Sequence, residues 1–353
     1  MTPGIVPPYL LARLAEAGDA RFERAAVAAR RTLLADEPLR AARITLSIDE
    51  GGRLVAELSD APNRTVADAG GAETLPGRVV RREGEPATGD AAADEAYEGL
   101  GATFALFSEV YGRNSIDGDG MPLEASVHYG EDYDNAFWNG ERMVFGDGDG
   151  EVFGRFTASL SVIGHELAHG VTEHTAGLVY RGQSGALNES VSDVFGALVE
   201  QRVAGQTADE ASWLIGEGLF TPEVEGSALR SMKAPGTAYD DDVLGKDPQP
   251  GHMDDYIETS EDDGGVHLNS GIPNRAFHLA AVELGGEAWE RAGRIWYDAL
   301  TAGGLSPTTD FAGFAAATAA AATARYGEAS AETAAVRAGW AGVGVEIDDG
   351  SAG

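Results

Sequence analysis

Cysteine is absent from this chain. No disulfide, thiol nucleophile or cysteine-based metal site can form, and the redox compartment stays open. Lysine is nearly as scarce, at Lys233 and Lys246 only, so arginine carries the positive charge. Even so, 25 basic residues face 58 acidic ones, a formal net charge of −33. That balance argues against nucleic acid or an anionic membrane as partner. Apolar runs are short, and none approaches the roughly 20 residues that span a bilayer. Met1 to Ala17 has no basic stretch before an apolar core and no A-x-A site. A secretory signal is therefore not expected, and the expected location is the cytoplasm or the outside by a non-classical route. At 353 residues the chain can hold two lobes and a large core, and a monomer is expected.

Histidine is also sparse, seven in all, yet two stand four apart in Val162-Ile163-Gly164-His165-Glu166-Leu167-Ala168-His169. A helix turns about 100° per residue, so His165 and His169 share a face one turn apart. Two imidazoles so placed can bind one tetrahedral Zn²⁺, with Glu166 beside the first and free to act as a base. Nineteen residues after His169, Asn188-Glu189-Ser190-Val191-Ser192-Asp193 opens a second helix, where Glu189 and Asp193 repeat the spacing of four. Glu189 completes a His-His-Glu ligand set, and Asp193 can accept the free N–H of a ligand histidine. Alone, an acidic first turn would be explained by the helix dipole. Its place after H-E-x-x-H favours the ligand reading.

H-E-L-A-H followed by N-E-S-V-S-D resembles the thermolysin-like zinc metalloendopeptidases. Further segments carry the resemblance in order: Asn135-Ala136-Phe137-Trp138-Asn139-Gly140, Thr175 to Tyr180, Leu229-Arg230-Ser231-Met232, and Gly264-Gly265-Val266-His267-Leu268-Asn269-Ser270-Gly271-Ile272. The resemblance implies an α+β, two-lobed fold: a β-rich N-terminal lobe, a mainly helical C-terminal lobe, a central zinc helix and a cleft between them. It implies that His267, held by Asp262, and Tyr180 donate to the oxyanion, and that Arg230 grips the substrate carbonyl. It also implies that Asn135 and the Ala136 backbone bind peptide as an added strand, which an exposed edge permits. Phe153, Val162, Ile215 and Leu229 match the apolar wall of the family's S1′ pocket, which implies cleavage before bulky apolar residues. An aminopeptidase would need an acidic anchor such as G-x-M-E-N, which is missing.

The opening Ile5-Val6-Pro7-Pro8-Tyr9-Leu10-Leu11 resembles the short propeptide of protealysin-like precursors. Having no cysteine, such a segment could inhibit only by filling the cleft. The expected division is a propeptide-like stretch over 1–45, an N-terminal catalytic lobe with the zinc helix over 46–180, and a helical lobe over 181–353. A latent precursor that mainly binds is the competing reading. Calcium is expected to be weak or absent. Glu200 and Glu217 match family calcium ligands, but Ser161, Ser212 and Ser227 stand where aspartates would supply charge.

Periodicity adds the elements: a helical stretch after Pro8 to about Leu34, and a hairpin from Arg43–Ile48 and Arg53–Leu58. A helix is expected over Ala91–Tyr111. Helices follow at Leu187–Val203, Ala208–Gly218, Asn274–Leu284, Ala288–Leu300, Phe311–Tyr326 and Ala331–Gly342. His128, His174, His252 and His278 match nothing catalytic.

Overall fold

The prolines that begin the chain fix how it enters the structure. Pro7 is extended (φ −61°, ψ 141°) and Pro8 starts helix α1 (Pro8–Glu16), where a missing N–H costs nothing. In this computed structural model, which describes residues 4–41 and 61–347, α1 buries Leu10, Leu11 and Leu14. The expected hairpin over Arg43–Leu58 and the division near residue 45 lie outside the described residues. The single helical stretch expected to Leu34 is instead two helices. Asp19 caps a short turn by accepting the Arg21 amide, and helix α2 (Glu23–Ala41) follows. A side-chain carboxylate that satisfies the next turn's amide competes with helix continuation.

A five-stranded sheet forms the N-terminal region. Its strands are β1 (Arg64–Asp68), β2 (Arg78–Arg82), β3 (Leu123–Val127), β4 (Ala136–Trp138) and β5 (Met143–Phe145). They lie in the order β2-β1-β3-β5-β4, with β1, β3 and β5 parallel and the outer two antiparallel. Strand β4 is an edge, as expected for Asn135–Asn139. Its free side is taken by residue Gly4, which bridges antiparallel to Phe137. Helix α3 (Ala91–Ala105) packs on β1 and β3 and runs into a wider turn at Leu106–Val110, so the expected helix to Tyr111 changes winding at its end.

Two helices carry the sequence motifs, α4 (Leu160–Glu173) and α5 (Gly182–Ala204). They approach closely because glycines face each other. A Cβ on Gly196 would lie 2.4 Å from the Ser161 carbonyl oxygen, and one on Gly164 would lie 3.0 Å from Gly196 Cα. Gly205 ends α5 in the left-handed conformation (φ 65°), the usual αL stop.

The helix expected over Ala208–Gly218 is absent. Trp213, Gly216 and Gly218 have φ of 58°, 75° and 80°, which no α-helix tolerates. Strand β6 (Leu214–Ile215) forms there and pairs with β7 (Arg230–Ser231). After a loop region that holds a short antiparallel pair at Asp240–Asp241 and Gly245–Lys246, five helices follow: α6 (Asp262–Asn269), α7 (Gly271–Leu284), α8 (Ala292–Thr301), α9 (Phe311–Tyr326) and α10 (Ala331–Ala341). The whole is α+β, with the sheet in the N-terminal region and helices in the C-terminal region. Among the described residues no helix is long and apolar enough to cross a membrane.

Candidate active site

Helix periodicity puts His165 and His169 on one face of α4, and α5 brings Glu189 across from them. The two Nε2 atoms are 3.0 Å apart, and Glu189 lies 3.5 Å from His165 Nε2 and 3.4 Å from His169 Nε2. Among the described residues this is the one cluster of three or more His, Asp or Glu groups able to hold a metal ion, with its ligand atoms all within 4.8 Å of one another.

The donor set itself fits a cation. His165 Nδ1 is 2.7 Å from Asp193 Oδ1, and His169 Nδ1 is 2.7 Å from Asn188 Oδ1. Acceptors at both Nδ1 atoms place the ring protons there, so both Nε2 atoms present lone pairs to each other. Two facing lone pairs, with a buried Glu189 Oε2 that has no hydrogen-bond partner, need a positive charge between them. Burial opposes ionisation of Glu189, but nearby positive charge, His267 first, holds its pKa down to about 2. Burial lowers the His169 pKa to about 4, keeping the ring neutral as a ligand must be.

Glu166 is fully buried. Its Oε2 accepts the Trp138 amide at 3.0 Å, while Oε1 is buried without a partner. Burial, and then the neighbouring Glu189 charge, raise its pKa well above the usual carboxylate value. A carboxyl poised this way has the character of a general acid–base group.

His267 reaches the site because Asp263, Gly264 and Gly265 all take positive φ (51°, 88° and 75°) and kink the start of α6. Asp262 binds His267 Nδ1 at 2.6 Å and accepts its amide at 2.9 Å. Burial opposes protonation of the ring, yet Asp262 and Glu189 raise its pKa. Tyr180 Oη is 3.1 Å from His267 Nε2 and donates its proton to Glu189 Oε1.

Arg230 on β7 makes a fork to Asp193, Nε to Oδ2 at 2.9 Å and Nη2 to Oδ1 at 2.8 Å. Burial raises the Asp193 pKa and its cationic partners, Arg230 first, lower it further than that. One carboxylate thereby orients both a ligand histidine and the arginine.

The cleft at this cluster carries the chain's own backbone. The Ile5 amide donates to the Ala136 carbonyl (3.1 Å) and the Val6 amide to Asn135 Oδ1 (2.9 Å). Arg230 Nη1 donates to the Ile5 carbonyl at 3.0 Å. Phe153, Val162, Ile215 and Leu229 are buried in the same apolar cluster as Ile5. Glu200, away from the cluster, accepts the Ser161 amide, and Glu217 is close enough to raise its pKa after burial does.

Every residue singled out for the zinc cluster, the oxyanion side and the peptide edge therefore converges on one place. Three contributors escaped the sequence reading. Asn188 and Asn274 are ordinary polar residues until the fold puts them on His169 and on Asp193 Oδ2 (2.8 Å). Gln249, from a loop, donates to the His267 carbonyl at 2.6 Å. Asn188 was legible in principle, since it lies one turn before Ser192, which also reaches His169 Nδ1 (3.1 Å).

Comparison with known proteins agrees with this geometry. Residues 45–173 match the family model of the thermolysin metallopeptidase catalytic domain, and 176–345 that of its alpha-helical domain. An extracellular metalloprotease of Pectobacterium carotovorum subsp. carotovorum is 56% identical over 285 residues, 81% of this chain and 82% of that protein. Protease PrtS of Photorhabdus sp. (strain Az29) is 50% identical over 317 residues, 88% of this chain and 84% of that one. The solved precursor of protealysin, a metalloproteinase from Serratia proteamaculans, superposes with a TM-score of 0.87 at 51% identity, covering 98% of this chain and all of that one. A buried His-His-Glu cluster on two packed helices, with these matches along both regions, makes the chain a member of the thermolysin family of metallopeptidases.

Proposed function

We propose that the chain is a zinc endopeptidase that cuts on the amine side of bulky apolar residues and is made as a latent precursor. The observation that carries this reading is the convergence of His165, His169 and Glu189 beside a peptide backbone already lying along β4. Zinc held by those three supplies the Lewis acidity that makes water a nucleophile near neutral pH. The protein's own groups do the rest. Glu166 takes the proton of the attacking water and passes it to the leaving amine. His267 and Tyr180 donate to the oxygen on which charge develops. Arg230, Asn135 and the Ala136 carbonyl hold the substrate backbone, and Asp193 and Asp262 fix Arg230, His165 and His267 in place.

Phe153, Val162, Ile215 and Leu229 would receive the side chain after the cut bond. An apolar residue, Ile5, already lies with its backbone between the Ala136 carbonyl and Arg230, which supports this preference. The proposed division keeps 1–45 as propeptide, 46–180 as the N-terminal lobe and 181–353 as the helical lobe. Glu200, committed to the Ser161 amide, would hold calcium weakly or not at all. The active form is proposed to be a monomer acting on peptides and unfolded proteins. Sequencing the fragments that the zinc-loaded, processed protein makes from a denatured protein mixture tests the specificity. New N-termini should be enriched in Leu, Ile, Phe and Val, and a charged or small residue dominating that position would refute it.

A further inference from the structure

The contacts of residues 4–6 have a direction as well as a place. The Gly4 carbonyl oxygen lies 3.2 Å from His267 Nε2, the same atom that Tyr180 Oη approaches to 3.1 Å. The next amide, Ile5 N–H, points the other way, to the Ala136 carbonyl at 3.1 Å, and also faces the Glu166 carboxyl. Beyond it the Ile5 carbonyl accepts from Arg230 and the Val6 amide donates to Asn135, while the strand runs antiparallel to β4. The carbonyl of residue 4 thus meets the oxyanion donor, and the amide of residue 5 meets the acid–base carboxyl. Glycine is demanded at position 4, since a Cβ there would stand 2.5 Å from Asn135 Nδ2. Asn135 cannot easily yield, being buried and donating to Asp36 Oδ2 at 3.0 Å.

We propose that the Gly4–Ile5 peptide bond is seated in scissile register and that the chain hydrolyses it within its own cleft. This cut lies inside the inhibitory segment rather than at its junction with the catalytic lobes, and it rests on the peptidase reading given above. In the step, a water oxygen bonds to the Gly4 carbonyl carbon and Glu166 accepts one water proton. The Gly4–Ile5 C–N bond then breaks, and that proton goes to the Ile5 nitrogen. Gly4 leaves as a carboxylate, the second water proton passing to the Ile5 amine, which becomes the new ammonium terminus, so one water is consumed and no other reactant is needed. The cut does not free the cleft. Ile5, Val6, Leu10, Leu11 and Leu14 stay in the shared apolar core, and Pro7 and Pro8 offer no N–H that misplacement would strand.

The test uses the full-length chain, prepared metal-free and then given zinc, with intact mass and N-terminal sequencing followed over time. The mass should fall by the residues preceding Ile5, Ile5 should become the first residue, and the rate should not change with protein concentration. Glu166→Gln should keep the original terminus. Amide exchange in the metal-free chain gives a readout independent of catalysis: Ile5 and Val6 should be protected, and Gly4→Val should lose that protection and yield no Ile5 terminus. A zinc-loaded chain that comes to cut an added peptide, yet never shows Ile5 as a terminus, overturns the proposal. A zinc-loaded chain that cuts neither brings down the peptidase reading with it. Fast exchange at Ile5 and Val6 in the wild type would refute the seating itself.

Discussion

Two buried surfaces of this molecule have different chemistry. Between α4 and α5 the contact is made by glycines and apolar side chains, with the polar groups spent on each other: His165 on Asp193, His169 on Asn188. Nothing from outside can replace those partners. Along the seam between residues 4–36 and the cleft, Asp36 is locked by buried bonds from Tyr133 and Asn135, but the other polar contacts are mostly of kinds any peptide or water could make. The backbone bonds of Ile5 and Val6, the Asp134 amide on Thr32 Oγ1 and the Ala25 amide on Glu151 are of this sort, and Arg24–Asp132 and Arg31–Glu131 are exposed ion pairs. The first surface is fit to hold a metal permanently, the second to be exchanged. That difference is what a latent peptidase requires.

Breaking the first surface should have the largest effect. Gly196→Val forces a side chain against the Ser161 carbonyl, a backbone atom that cannot swing away, and should cost about 3 kcal/mol or more of stability. Chemical denaturation followed by circular dichroism measures it, and a loss within about 0.5 kcal/mol would mean the helices separate easily. Removing a group that serves chemistry without joining that surface should act on rate instead. His267→Ala should lower kcat about 100-fold with zinc content and unfolding midpoint little changed, since one oxyanion donor contributes on that scale. Loss of zinc along with the activity would assign His267 to the metal.

Smaller effects sharpen the seam. Asp134, buried there beside Asp149, has its pKa raised well above the ordinary value, first by burial and then by the Asp149 charge. The folded state therefore holds that proton more tightly than the unfolded state. Its stabilising contribution is whole below the unfolded pKa, near 4, and is lost as pH rises through the folded pKa. Asp134→Asn, whose Oδ1 can still accept the Asp149 amide, should flatten the fall of unfolding temperature with rising pH. An unchanged pH profile would mean the pair is not titrating. Smallest of all, Arg24→Ala should change stability by less than about 1 kcal/mol, because an exposed ion pair is screened by solvent. A larger loss would make the seam a permanent interface.

The same contrast explains what could be read from sequence. His165, Glu166, His169, Glu189 and Asp193 were legible because helix geometry turns a spacing of four into a shared face, with no knowledge of the rest of the fold. The edge strand at Asn135 and the helices from Phe311 to Ala341 were legible from local pattern as well. Ala208–Gly218 was misread because its apolar residues space like a helix, whereas its backbone is set by glycines and by pairing with a strand fifteen residues on. Asn274 and Gln249 gave no signal because their importance lies in a partner's unpaired atom, which only the assembled site displays. Glycine at position 4 is similar: its reason is Asn135, 131 residues away.

Metal content of defined variants tests the central claim most directly. Plasma mass spectrometry on the chelator-treated chain reloaded with zinc should find one zinc per wild-type chain and one in Glu166→Gln, but none retained after Glu189→Ala or His169→Ala. Zinc absent from the wild type, or still held at full stoichiometry without Glu189, would contradict the assignment of the site.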